Sequence, residues 1–163
     1  MNRRDLIKIS ATAVTAPAAM AQATAWKPLL FDTHQNDTVV ALTELIIPAT
    51  DTPGAKAAGV NRYIDLLLND GPVEQRNQFL SGLAYLDGQC IAKYGKPFVN
   101  CSAAEQTAML SEFEKGSGPG NGFFRMAKTM TSRIYYATDI GGKELNKGGR
   151  VPATYGCQDA AHK

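Results

Sequence analysis

Residues 36–48 read Asn36-Asp37-Thr38-Val39-Val40-Ala41-Leu42-Thr43-Glu44-Leu45-Ile46-Ile47-Pro48. Val39, Val40, Leu42, Leu45, Ile46 and Ile47 recur at i, i+3 and i+4 spacing, which lays an apolar stripe along a helix. Asn36 or Asp37 can cap the start, and Pro48 ends the element because it has no N–H to continue the ladder. The following Ala49-Thr50-Asp51-Thr52-Pro53-Gly54-Ala55 is turn chemistry. Upstream, Trp26 to His34 reads as an extended lead-in, with Pro28 and two leucines that pack on the domain.

The same period continues downstream. A second helix is predicted from Gly59 or Val60 to Asn69, with Tyr63, Ile64, Leu67 and Leu68 inward and Gly71 closing it. Pro72 suits the first turn of a third helix, which runs to Lys93 with Phe79, Leu83, Leu86, Cys90 and Ile91 inward. Ser102-Ala103-Ala104-Glu105 is a capping box that opens a fourth helix ending near Lys115. Gly116-Ser117-Gly118-Pro119-Gly120-Asn121-Gly122 reads as a flexible loop. A fifth helix follows from Phe123 to Asp139, burying Phe123, Met126, Ala127, Met130, Ile134 and Tyr135, with Gly141-Gly142 as its stop. Beyond that lie Gly148-Gly149, Pro152 and Gly156, which read as an irregular arm. No segment sustains the period-two alternation of a half-buried strand, and there is no strand-linked GxGxxG, no P-loop and no internal repeat. The expectation is an all-α fold, a small bundle of about five helices with an irregular C-terminal arm.

A length of 163 residues fits one domain, and 44% hydrophobic with 20% charged residues is enough for a packed core. Lys plus Arg number 17 against 15 Asp plus Glu, a net charge of +2. Arg3, Arg4 and Lys8 against Asp5 carry that excess, so the body is near neutral, which argues against a nucleic-acid partner and favours association with protein. Only two histidines occur, His34 and His162. His34 reads as a surface or capping residue, and Asp51 with Thr52 as a turn. Asp65, Asp70, Glu74 and Asp87 are scattered carboxylates without metal-ligand spacing. No catalytic, cofactor-binding or metal-ligating residue is therefore predicted in this chain.

Residues 1–25 read as an export signal and residues 26–163 as the single mature domain. Arg3 and Arg4, followed by Leu6-Ile7-Lys8, an Ala/Thr-rich weakly apolar stretch and small residues at Ala19 to Ala25, look like a twin-arginine signal, which carries folded proteins. The periplasm is the expected location, with no segment long enough to span a bilayer. Three cysteines, an odd number, would then meet an oxidising space. Cys90 and Cys101 flank a loop containing Gly95 and Pro97, so a local bridge is one reading. Cys157, in a segment without helical pattern, is a candidate for an interchain bridge. All three as reduced, buried thiols is the remaining reading. Tyr135 and Tyr136 adjoin, so one faces the core and the other offers an aromatic to a partner.

Ala41 through Ala55, followed by Ala58-Gly59-Val60 and Tyr63-Ile64-Asp65, resembles the small subunit of gluconate 2-dehydrogenase, the subunit 3 family. Gly95-Lys96-Pro97-Phe98, Phe123-Phe124-Arg125, Tyr135-Tyr136 and the closing Tyr155-Gly156-Cys157 agree with it. The resemblance covers roughly residues 36–158, and Pro48–Ala55 is its specific part. It implies an accessory subunit of a periplasmic, membrane-associated dehydrogenase that oxidises sugars or sugar acids, glucoside 3-dehydrogenases included. The implied partner is a catalytic subunit of the glucose–methanol–choline class holding FAD, with a c-type cytochrome accepting electrons. The small subunit would bind, stabilise and export the flavoprotein, and Tyr135, Tyr136, Tyr155 and Cys157 are the candidate interface. A free-standing periplasmic binding or chaperone protein, or an independent redox protein, is the alternative.

Overall fold

Asp32 decides where the bundle begins. Its carboxylate accepts from Gln35 N at 2.8 Å while the Gln35 side chain accepts from Asp32 N at 3.1 Å, a reciprocal cap that satisfies two orphan donors. Helix α1 therefore spans Thr33–Ile46, starting ahead of Asn36. The computed structural model describes residues 26–145. After α1 come α2 (Val60–Asp70), α3 (Val73–Tyr94), a single 3-10 turn at Phe98–Asn100, α4 (Ala103–Lys115), α5 (Pro119–Ala137) and α6 (Asp139–Leu145). Among the described residues there is no strand, and no helix is long and apolar enough to cross a membrane. The all-α bundle holds, with one short helix more than the sequence pattern indicated.

Helix α5 is the hub, touching each of the other five helices. Its buried residues Phe123, Phe124, Ala127, Thr131, Ile134 and Tyr135 return at three- and four-residue steps, as a helix gripped on more than one side requires. Close approach is bought by glycine. A Cβ on Gly82 of α3 would stand 2.1 Å from the Phe123 ring, and one on Gly120 would stand 2.9 Å from the Phe113 ring. That packing confines the loop expected over residues 116–122 to residues 116–118 and puts the rest in α5. Pro119 occupies the first turn of α5, Gly120 is buried, and Asn121 Nδ2 donates to the Phe113 and Glu114 carbonyls at 3.0 Å, closing the end of α4.

Other expectations change for equally local reasons. Thr138 breaks the helix after α5 and starts the next: its hydroxyl donates to Tyr135 O and accepts from Gly141 N. Gly141-Gly142 does not stop a helix but lies inside α6, where a Cβ on Gly141 would meet Tyr135 O at 2.2 Å. Tyr63, Leu67 and Ile91, expected inward, are about half exposed, at 50%, 54% and 52%. Ile64 and Leu68 on α2 and Phe79, Leu83, Leu86 and Cys90 on α3 are buried as expected, and Val60 joins the α2 row. The capping box at Ser102 and Glu105 forms as expected. Hydrogen bonds to Lys96 and to the Ser102 N–H and hydroxyl hold the Glu105 carboxyl down to about 2.

The lead-in is fixed by one side chain. Asp65 on α2, 1% exposed, accepts from the N–H groups of Leu29 (2.7 Å), Leu30 (3.0 Å) and Phe31 (2.9 Å). This anchors Phe31 in the core against Phe79, with ring centroids 6.0 Å apart. Asp65→Ala should lower the unfolding free energy by about 2–4 kcal/mol, because a buried donor left unpaired costs about 1–3 kcal/mol. Asp65→Asn, which keeps an acceptor oxygen, should lose less. Urea melts followed by circular dichroism measure both, and a loss for Asp65→Ala no larger than that of an ordinary surface change would refute the clamp.

Candidate partner interface

The segment that is most specific in the sequence, Pro48–Ala55, is held by hydrogen bonds from two sides. Glu44, near the end of α1, spends both carboxylate oxygens on it, accepting from Ala49 N at 2.9 Å and Lys56 N at 2.8 Å. Thr50 N donates to Thr52 O, and Ala55 N to Ile47 O, each at 2.9 Å. Gly54 lies so close above Glu44 that a Cβ would stand 2.5 Å from its Oε1. From the other side, Tyr135 Oη lies 2.8 Å from both Pro53 O and Glu144 Oε2, two acceptors that share one phenolic proton. Burial first, and the bond to Glu144 second, push the phenol above its usual range, so it remains a donor. Pro48, Ala49, Thr50, Asp51 and Pro53 are thus presented to solvent on a fixed backbone. An exposed loop held rigid by its scaffold is a form suited to recognition.

Tyr135 must be corrected as an interface residue. It is fully buried, and its ring and hydroxyl serve to pin the loop and α6. Tyr136, one position on and therefore about 100° around the helix, is 42% exposed and lies edge-on to Tyr135 at 5.2 Å between ring centroids. Of the predicted partner residues described, Tyr136 alone offers surface. Tyr155 and Cys157, like the signal arginines Arg3 and Arg4, lie outside the described residues.

Cys90 and Cys101 are brought together in the core as neighbouring free thiols. The Cys101 Sγ donates weakly to Pro97 O at 3.5 Å and lies 3.7 Å from Lys96 O. Burial, reinforced by the adjoining Cys101, pushes the Cys90 thiol up to about 12, so it carries no nucleophilic thiolate at neutral pH. His34 is exposed, and its Nε2 lies 2.7 Å from Asp87 Oδ2 on α3, while the other oxygen of Asp87 accepts from Phe98 N at 2.9 Å. One carboxylate so ties α1, α3 and the 3-10 turn together. The pairing spans 53 positions and left no local signal in the sequence.

The described residues contain no group of three or more His, Cys, Asp or Glu placed to hold a metal ion. A surface groove of about 400 Å³ runs beside the start of α2, and Trp26, Leu29, Lys56, Arg62, Tyr63 and Leu66 contribute to its walls. The Arg62 guanidinium stacks over the Trp26 ring at 5.5 Å. The sequence pattern had placed Tyr63 inward and so concealed this face.

A family model described as gluconate 2-dehydrogenase subunit 3 matches residues 33–149. No curated protein and no solved structure matches the chain. The matched region begins with α1 and takes in the Pro48–Ala55 loop and every helix through α6.

The thiol geometry has a direct readout. In the reduced, folded chain Cys90 and Cys101 should react with a thiol reagent only as fast as the core opens, and both should react at once in denaturant. Mass spectrometry of the labelled peptides resolves the two sites. Rapid labelling of both under native conditions would contradict their burial.

Proposed function

Because this chain belongs to the gluconate 2-dehydrogenase subunit 3 family, we propose that it is the small accessory subunit of a periplasmic, FAD-dependent dehydrogenase acting on a sugar or sugar acid. Membership in the family places the chain in a multi-subunit dehydrogenase complex. The finer reading gives it a flavoprotein partner of the glucose–methanol–choline class, with a c-type cytochrome as electron acceptor. In that assembly the small subunit performs no catalysis by itself. It binds the FAD-loaded catalytic subunit, stabilises its folded state by mass action, and carries it through the twin-arginine route on the Arg3-Arg4 signal.

The observation that carries this reading is the family match across all of the described helices. The geometry supports it in kind: the specific loop is exposed and fixed rather than lining an enclosed cleft. A flavoprotein that acquires FAD in the cytoplasm must cross the membrane folded, and a bound companion with its own address solves that problem. Cys157 has a place in the same scheme. Cys90 and Cys101 are both in the core, so Cys157 is the thiol left for a partner cysteine, joined by exchange with a disulfide donor of the oxidising compartment.

Two experiments test the proposal. Replacing Arg3 and Arg4 by lysine should strand both this chain and its flavoprotein in the cytoplasm, read by immunoblotting of cell fractions. Continued export of the flavoprotein would remove the carrier role. On non-reducing electrophoresis the purified complex should run as one covalent species that separates with reductant and is absent in Cys157→Ser. Two separately migrating subunits in the wild type would dismiss the bridge.

A further inference from the structure

Helix α2 is apolar on two sides. Val60, Ile64 and Leu68 face the core at 0–1% exposure, while Tyr63, Leu66 and Leu67 face outward at 50%, 45% and 54%. Asn61, Arg62, Asp65, Asn69 and Asp70 share this helix, but its apolar arc is wider than the stripe a surface helix turns toward its core. Here the outer row is bare, and Leu29 of the lead-in, 66% exposed, extends it. Tyr63 and Leu66 of that row line the 400 Å³ groove together with Trp26 and Lys56.

The charges of the groove are unbalanced. Among the described residues neither the Lys56 ammonium nor the Arg62 guanidinium has a carboxylate within ion-pair range. Asp65 also borders the groove, but its oxygens are committed to the N–H groups of Leu29, Leu30 and Phe31. Arg62 is preoriented by its stacking on Trp26, which lowers the ordering cost of meeting an anion. Aromatic rings and an arginine around one concave site form the usual composition of an interface hot spot.

We propose that the groove between the lead-in and α2 is the docking site for a segment of the catalytic subunit, one that seats an apolar or aromatic side chain between Trp26 and Tyr63 and sets a carboxylate against Lys56 and Arg62. This rests on the accessory-subunit reading and adds to it the place of contact and the chemistry of the contacting segment. Charge complementarity selects the occupant: the groove supplies two cations and needs an acidic group. Its concavity separates it from a lipid-binding surface, where aromatic side chains project outward. Asp70 and Glu74, at the far end of α2 and the start of α3, would also oppose an anionic bilayer.

The test uses the complex of this chain with the FAD-containing subunit that purifies with it. Lys56→Glu combined with Arg62→Glu should weaken that association by on the order of 100-fold, as expected when a desolvated charge pair is opposed. Ile91→Glu, on the exposed side of α3 and outside the groove, should leave it unchanged. Lys56 and Arg62 are both exposed, so the isolated double variant should keep the wild-type helix content by circular dichroism. Hydrogen exchange should show residues 56–67 protected in the wild-type complex.

Formation of a full-strength complex by the double variant would overturn the groove while leaving the accessory-subunit reading intact. Failure of the wild-type chain to purify with any flavoprotein would overturn both. A homodimer of the isolated chain, or binding to phosphatidylglycerol vesicles, that the double variant abolishes would assign the groove to a different occupant and overturn the proposal.

Discussion

The fold depends on carboxylates that accept backbone N–H groups from segments with no ladder of their own. Helices satisfy their interior amides, but the lead-in, the connection from α1 to α2, and the run from Gly95 to Ser102 do not. Asp65 serves the first, Glu44 the second and Asp87 the third. Each accepts charge-assisted bonds, roughly twice as strong as neutral ones, and each comes from a helix already fixed in the bundle. Rigid helices thereby impose order on chain that would otherwise move. The cost is fragility, since losing Asp65 strands three backbone donors at once and losing Glu44 strands two.

The second constraint is the central position of α5. A helix that contacts five others cannot keep side chains at every crossing and still bring the axes close. Gly82, Gly120 and Gly141 supply the missing space, against Phe123, Phe113 and the Tyr135 carbonyl. The same crowding makes Tyr135 a structural tie. Its ring fills the space between α5 and α6, and its hydroxyl reaches Pro53 across 82 positions of sequence. The Pro48–Ala55 loop is then pinned from α1 below and from the C-terminal helices beside it, so the order of the most specific surface depends on the integrity of the last turns of the bundle.

This division explains how much could be read beforehand. The helices, the capping box at Ser102 and most inward rows follow from periodicity and capping, which are local. Glycine misled twice: Gly120 and Gly141 read as flexibility or termination, whereas each is a point of contact inside a helix, and only the neighbour decides between the two meanings. Asp65, Asp87 and Glu44 carried no signal at all, because a carboxylate that binds backbone amides 34 or 12 positions away has no motif. Tyr63 and Leu67 were misassigned for a related reason. An apolar residue on an amphipathic helix is inward by default, and α2 has one apolar row more than its own domain can cover.

That surplus row bears on how the chain exists in its complex. Tyr63, Leu66 and Leu67 are already half covered, so completing their burial is worth roughly 1 kcal/mol each, before the costs of association are met. An isolated domain that leaves them in water forgoes that gain and presents an apolar patch of the kind that marks a contact surface. The body is also near neutral, so no long-range repulsion keeps such patches apart. A chain built this way gains most when its partner is already folded and present where it is made. The pairing before export proposed above would satisfy that requirement. The uncovered row of α2 thus agrees with the proposed order, in which the chain folds and pairs before it crosses.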